Sequence, residues 1–157
     1  MSNLSIRPAC EDETGIVLEY IRRIARFEKL EHQVETTEEL LYDALFVKKY
    51  AEVVLAILDG KPIGFALFFH NFSTFVGRPG LYLEDLYIDE EYRGKGYGKK
   101  VFLHLVSLAK ERNCGRMEWT ALNWNRNAID FYHSLGAIAM DEWTTFRLTE
   151  EGIAELT

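Results

Sequence analysis

An apolar strand, a glycine-rich loop and an amphipathic helix follow one another in the middle of this 157-residue chain. The strand covers residues 80–88, the loop 89–98, and the helix runs from about Tyr97 to a glycine cap at Gly115. The apolar stretch at residues 116–122 predicts a further strand. This order of elements favours a mixed sheet covered by helices.

The remaining apolar patterns complete one α+β domain over residues 1–157. They predict a strand at 5–9, helices from Ile16 to about residue 30 and at 37–46, and a hairpin of strands 52–58 and 63–69 around Asp59-Gly60. Residues 72–79 are predicted as a loop. A short helix at 125–135, closing strands at 138–140 and 144–148, and a helical turn at 149–156 follow. The expected sheet has about six to seven strands, with about four helices.

Charge and composition exclude several classes of protein. The net charge of -7 has the wrong sign for general nucleic-acid binding. No apolar run approaches the roughly 20 residues of a membrane span, and the N-terminus lacks the pattern of a signal peptide. Cys10 and Cys114 have no metal or redox spacing, and the four histidines are scattered, so we expect no metal and a reducing cytoplasmic setting.

The loop at residues 93–100 has the features of a phosphate site. Three glycines let the backbone approach a ligand closely, and the following helix offers its N-terminal amides to an anion. Four basic residues add attraction. The spacing fits neither the nucleoside-triphosphate loop nor the dinucleotide fingerprint, because position 99 is lysine. Without its context the loop would be equally compatible with a flexible turn.

Two motifs together resemble the Gcn5-related N-acetyltransferase family, which uses acetyl-CoA. One is Arg-x-x-Gly-x-Gly at residues 93–98; the other is Asn-x-x-Ala-x-x-Phe-Tyr-x-x-x-Gly-Ala at residues 125–137. The resemblance covers nearly the whole chain. It implies that strand 81–88 carries a bulge and splays from the next strand, so that its free backbone pairs with the pantetheine arm. The cofactor-binding residues that it implies are Leu86, Tyr87, Ile88, Arg93, Gly94, Lys95, Gly96, Tyr97, Gly98, Lys99, Asn125, Asn127, Ala128 and Tyr132.

Segments 26–34 and 81–87 look like the diamine (spermidine/spermine) branch of that family, which also contains enzymes acting on thialysine. The resemblance implies an amine pocket that includes Phe27, Glu28 and Phe75, and the further candidates for its lining are Glu84, Asp85 and Trp119. The chain departs from polyamine enzymes at Phe27, His32 and Phe75. The acceptor therefore stays open between a polyamine and a lysine-like amino acid, and each aromatic also fits plain core packing.

Acyl transfer to an amine sets the roles expected in the site. An alkyl amine with a pKa near ~10.4 arrives charged and has to lose a proton before it attacks. Glu84 is the candidate base, acting through water, and Tyr132 is the candidate acid for the leaving thiolate by family position. Backbone amides near residues 86–88 are the expected oxyanion donors. The alternatives are that Glu84 and Asp85 cap loops or pair with arginine, and that Tyr132 is a core aromatic.

The acids between residues 28 and 43 have two interpretations. An acidic wall would attract a cationic amine, whereas a solvated helix face is the more common meaning of such a run. Three functions remain: an N-acetyltransferase of small cationic amines, a protein or peptide N-acetyltransferase, and an acyl-CoA-binding sensor without turnover. The resemblance also implies a homodimer, with contacts near residues 143–148.

Overall fold

The computed structural model describes residues 3–157, so Met1 and Ser2 of the N-terminus that the sequence analysis considered lie outside the described residues. The chain forms two compact units, one ending at Thr120 and the other beginning at Ala121. The first unit contains β1 (Leu4–Pro8), α1 (Thr14–Phe27), α2 (Glu38–Tyr42), β2 (Glu52–Leu58), β3 (Lys61–Ser73), β4 (Arg78–Ile88), α3 (Tyr97–Glu111) and β5 (Arg116–Trp119). The second contains α4 (Arg126–Ser134) and α5 (Glu150–Glu155).

The first unit is built on one mixed sheet with the order β1-β2-β3-β4-β5. The first four strands are antiparallel neighbours, and β5 runs parallel to β4 after the α3 crossover. The mixed α+β architecture is confirmed. The strand count is lower than predicted, because in the described residues the segments 138–140 and 144–148 form no strand. Their alternating apolar pattern indicates affinity for a half-buried surface, but a strand also needs a partner for its backbone.

The structure confirms the predicted turn of the β2–β3 hairpin and corrects the predicted loop of the β3–β4 hairpin. Asp59 and Gly60 both have positive φ, 50° and 83°, which matches the tight turn predicted from the Asp-Gly pair. The predicted loop at 72–79 is wrong at both ends, since Phe72 pairs with Pro79 and Ser73 with Arg78. Only residues 74–77 form the turn. The pairing of β3 with β4 extends beyond residues 63–69, the apolar run from which the sequence predicts β3.

Helices cover both faces of this sheet. On one face, α1 and α2 pack on β2 and β3 through a core that includes Val17, Leu55 and Phe65. The predicted helix at 37–46 divides into α2 and a wider π-helical turn, Asp43–Val47. On the other face, α3 packs against β4, and a Cβ added at Gly98 would lie in ordinary van der Waals contact with the side chains of Ile88 and Leu86.

The second unit has its own local order. Asn125 caps α4 by accepting a hydrogen bond from the Ala128 amide, and Thr149 caps α5 through the Gly152 amide. Among residues 3–157, no helix combines the length and apolar character that a bilayer crossing requires.

Candidate active site

A β-bulge at Glu84 sets the geometry of the site. Leu67 on β3 pairs with Asp85, whereas the next residue, Phe68, pairs with Leu83, so Glu84 is the extra residue. In a regular strand, Leu83 and Asp85 would point to the same face. The bulge instead puts Asp85 on the face of Leu67 and Tyr87, both next to the α1–α2 core. The bulge that the family resemblance implied is therefore present.

Three carboxylates converge beside this bulge. Burial, together with the charges of Glu84 and Glu28, raises the pKa of Asp85 to about 7. Burial and the charge of Glu84 also raise the pKa of Glu28, which caps the C-terminal end of α1. The charged groups that shift the Asp85 pKa are thus themselves acids. Such a cluster favours a cation, because a bound positive charge would relieve both the repulsion and the lost hydration.

The other acids of the predicted wall have different surroundings. Glu31 forms an ion pair with Arg26, and Asp43 with Lys48. Glu38 and Glu39 line a separate open cavity of about 460 Å³ beside the start of α1. Of the six acids between residues 28 and 43, Glu28 is the one that couples electrostatically to Asp85.

Two of the predicted pocket aromatics, Phe75 and Trp119, differ in their distance from the bulge. Phe75 sits at the tip of the β3–β4 hairpin and is 98% exposed. The strand from Arg78 to Glu84 separates that tip from the bulge by about 20 Å. Trp119 ends β5 opposite Leu83, and its ring makes an edge contact with Phe102 of α3 at 5.0 Å between centroids. Within one chain, the structure brings Phe27, but not Phe75, to the region of the carboxylates.

The part of β4 after the bulge extends beyond its pairing with β5, and the side that β5 leaves open is called the free side below. β5 ends at Trp119, whereas β4 continues to Ile88 beyond its last residue paired with β5. Residues 84–88 therefore keep backbone groups on that side that pair neither with β3 nor with β5. This is where the resemblance implies a splay and a pantetheine contact, and Leu86, Tyr87 and Ile88 all lie in it.

The glycine-rich loop has an open backbone at two of its glycines. Gly94 and Gly96 have φ of 76° and 85°, and a Cβ at either position would find no atom within 4 Å. The loop is therefore open at both glycines and leads directly into α3, whose first amides follow Gly96. Lys95, Lys99 and Lys100 add positive charge, with the Lys95 ammonium 5.8 Å from the Tyr92 ring centroid. These residues fit a pyrophosphate.

Arg93 has a different environment from its neighbours in the loop. Its Nε donates a 2.8 Å hydrogen bond to the Ile88 carbonyl. Its guanidinium carbon lies 4.8 Å from the Phe27 ring centroid and 4.9 Å from that of Tyr87. Phe27, predicted to line the amine pocket, thus contacts a residue predicted to bind the cofactor.

A second network, which the sequence analysis missed, anchors α1 to the end of β4. Asp89 is buried and accepts hydrogen bonds from the Tyr20 hydroxyl (3.0 Å) and from Arg23 (2.6 Å). Burial and the Asp89 charge raise the pKa of Tyr20, whose ring stacks on Phe65. Tyr20 and Arg23 share one helical face with Phe27, a spacing visible in the sequence, but their partner lies more than 60 residues away.

The second unit holds the remaining predicted residues. Asn125 and Ala128 are brought together by the helix cap, and Asn127 lies in the first turn of α4. Tyr132 lies near the end of α4, with its ring 5.5 Å from that of Phe131. The Asn-x-x-Ala spacing of the family motif thus corresponds to a capped helix start.

The site combines a bulged interior strand, an open glycine-rich loop at a helix N-terminus and a carboxylate cluster, a combination that fits an acyltransferase-type α+β enzyme. The family model "Acetyltransferase (GNAT) family" matches residues 18–137, so the chain belongs to this family of acetyltransferases. The fold agrees with solved structures, among them an integron cassette protein from the mobile metagenome of V. cholerae (28% identity, TM-score 0.77, 98% of this chain and 96% of that one).

Curated relatives support the predicted branch. A thialysine N-epsilon-acetyltransferase from Sus scrofa is 35% identical over 99% of this chain and 98% of its own length. An L-ornithine N5-acetyltransferase from Arabidopsis thaliana is 41% identical over 57% of this chain and 40% of its own. The chain is thus an N-acetyltransferase related to enzymes of small amino compounds.

Proposed function

We propose that this protein transfers an acetyl group from acetyl-CoA to a primary amine of a small cationic acceptor, either a polyamine or a lysine-like amino acid. The observation that carries the proposal is the cluster of Glu28, Glu84 and Asp85, where burial and the like charges of the neighbours raise the pKa of Asp85 to about 7. A cationic amine is the ligand that this cluster favours. The thialysine and ornithine relatives act, by their names, on compounds of this kind.

The carboxylates have separate roles in this proposal. Glu28 and Asp85, which are partly buried, hold and orient the ammonium. Glu84 is exposed at the bulge, where its carboxylate reaches solvent and accepts the ammonium proton through water. The neutral amine then attacks the acetyl carbon, whose oxygen is stabilised by backbone amides of residues 86–88 on the free side of β4.

Acetyl-CoA supplies the activated acetyl group as a thioester. The open glycines and lysines of loop 93–100 hold its pyrophosphate, and the Tyr132 hydroxyl protonates the leaving thiolate. A tyrosine suits that role because its ring can pack while its hydroxyl stays available to a sulfur atom. The proposal includes both units as one functional domain.

The proposal also covers the setting of the enzyme. Two free thiols, Cys10 and Cys114, favour a reducing cytoplasmic location. A homodimer follows from the family resemblance, and the exposed apolar side chains Trp143, Phe146 and Leu148 suit a contact between subunits. Sedimentation at micromolar concentration tests this part, and a monomer would remove it.

A thiol-release assay with acetyl-CoA tests the function. The acceptor panel comprises spermidine, spermine, putrescine, lysine, ornithine, thialysine, an aminoglycoside and a short peptide. Turnover of one polyamine or one lysine-like amino acid identifies the acceptor class. Turnover of the peptide alone would move the assignment to a protein N-acetyltransferase. Tight acetyl-CoA binding without any turnover would favour a sensor.

A further inference from the structure

The end of α1 contacts the cofactor loop through an arginine–aromatic cluster, formed by Phe27, Tyr87 and Arg93. Phe27 is the last residue of α1 and directly precedes Glu28 of the carboxylate cluster. Arg93 is the first residue of the loop motif. The guanidinium lies within 5 Å of both ring centroids, a distance at which a cation is attracted to an aromatic face.

The cluster also fixes the orientation of Arg93. Its Nε is already bonded to the Ile88 carbonyl at 2.8 Å, and two rings lie against the guanidinium. Arg93 is thereby held to the strand that carries the bulge, while its backbone leads into Gly94. A guanidinium held in this way sets the path of the loop, and the open glycines and lysines that follow are left to contact the phosphates.

The Asp89 network strengthens the connection between α1 and the loop. Tyr20, Arg23 and Phe27 follow one face of α1, and they contact Tyr87, Asp89 and Arg93 in the same order along the chain. Helix α1 is therefore attached to the end of β4 and to the start of the loop along its length. A shift of its last turn would displace Glu28 and Arg93 together.

We propose that Phe27 is a positioning residue for the cofactor loop, acting through Arg93, although it lies on the acceptor side of the site. This inference rests on the proposed function, because it assigns Phe27 an effect on acetyl-CoA. It predicts a crossed effect. Loss of the Phe27 ring weakens CoA binding. Loss of the planar Arg93 guanidinium weakens amine binding, because the turn that carries Glu28 is then no longer held in place.

The test uses two variants and two binding constants. Calorimetry measures CoA binding without amine, and steady-state assays give KM for acetyl-CoA and for the amine. We expect Phe27→Leu to weaken CoA binding about fivefold, the scale of one lost cation–π contact. We expect Arg93→Lys, which keeps the charge but not the plane, to raise the amine KM about threefold. Phe72→Leu, at an exposed phenylalanine of β3, is the matched control.

Each result is decisive for the inference. An unchanged CoA affinity in Phe27→Leu, with only the amine KM raised, would mean that Phe27 is simply a pocket wall and would overturn it. A lower melting temperature with both constants unchanged would overturn it as a purely structural contact. If Phe27→Leu does not fold, an unchanged amine KM in Arg93→Lys overturns it. Failure of the wild-type protein to bind CoA removes the proposed function itself, and the inference with it.

Discussion

The bulge in β4 carries acidic side chains and the glycine-rich loop at residues 93–100 carries basic ones, and these form an acidic end and a basic end of the site. At the bulge, Glu84, Asp85 and Glu28 crowd together, and the pKa of Asp85 rises to about 7 because its charged neighbours are also acids. At the loop, Arg93 has a carbonyl and two aromatic rings around it. The acidic end gains from a bound cation, whereas the arginine at the basic end is held in place before any ligand arrives. The strand and its loop thus combine a carboxylate cluster that favours a cation with an arginine whose orientation is already fixed.

The strongest way to break this comparison is to remove the proton acceptor. We expect Glu84→Gln to lower kcat about 100-fold, because general base catalysis contributes at least that much. CoA affinity is expected to stay unchanged, since the loop is not altered. Steady-state kinetics with the best acceptor measures the first quantity, and calorimetry the second. Glu111→Gln, at an exposed acid at the end of α3, is the control. A kcat within a few-fold of wild type would move the base role away from Glu84.

A methyl group added at one of the open glycines tests the basic end. Gly96→Ala is expected to raise the KM for acetyl-CoA about tenfold, because φ of 85° is unfavourable for alanine and the methyl group occupies the open space. Gly77→Ala is a matched control: Gly77 also has positive φ and open space, but it lies at the hairpin tip. Equal effects of the two changes on KM would indicate strain alone and would argue against a phosphate site.

The charge state of Asp85 gives the acidic end a pH signature. With a pKa of about 7, Asp85 is mostly protonated at pH 6, so kcat/KM for the amine is expected to rise about tenfold with pH through 7. Asp85→Asn should abolish this rise of kcat/KM with pH. Folding has the opposite sign: the raised pKa stabilises the folded state below the ordinary carboxyl pKa, and that stability is lost as pH rises through 7. A rise of kcat/KM with pH that persists in Asp85→Asn would come from the titration of another group.

The smallest expected effect concerns Glu28. Its charge helps to raise the pKa of Asp85, so Glu28→Gln should move the pH at which kcat/KM rises to a lower value. Because burial is the larger cause, the move should be only a fraction of a pH unit. Profiles of the wild type and the variant in the same buffers measure it. A move to higher pH would contradict the electrostatic coupling inferred here.

The sequence predicts the strand–loop–helix unit and the open glycines of its loop well, because these depend on local patterns. Each of these patterns spans only a few residues: the apolar alternation in β4, the spacing of Gly94 and Gly96, and the helix cap at Asn125. The motif also predicts the bulge, but only through the family resemblance, since Glu84-Asp85 by itself does not define a register.

What the sequence does not predict depends on long-range contacts. The Asp89 partners lie more than 60 residues earlier, and no local signal links Arg93 to Phe27. The run of acids after Glu28 looks uniform as a sequence. In the folded chain its members separate into an ion pair with Arg26, another with Lys48, and the lining of a distinct cavity.

The bulge at Glu84 also sets the parity of everything that follows it in β4. If the strand alternated strictly through Glu84 with no bulge, Asp85 and Tyr87 would point toward α3, and Leu86 and Ile88 toward α1. Removing Glu84 itself would instead leave these residues on their present faces, because Leu83 and Asp85 already pair with adjacent residues of β3. A one-residue insertion or deletion between Asp85 and Ile88 would exchange the faces of every later residue of the strand. The strand should therefore tolerate a change of length at Glu84 better than one at any of the four residues that follow.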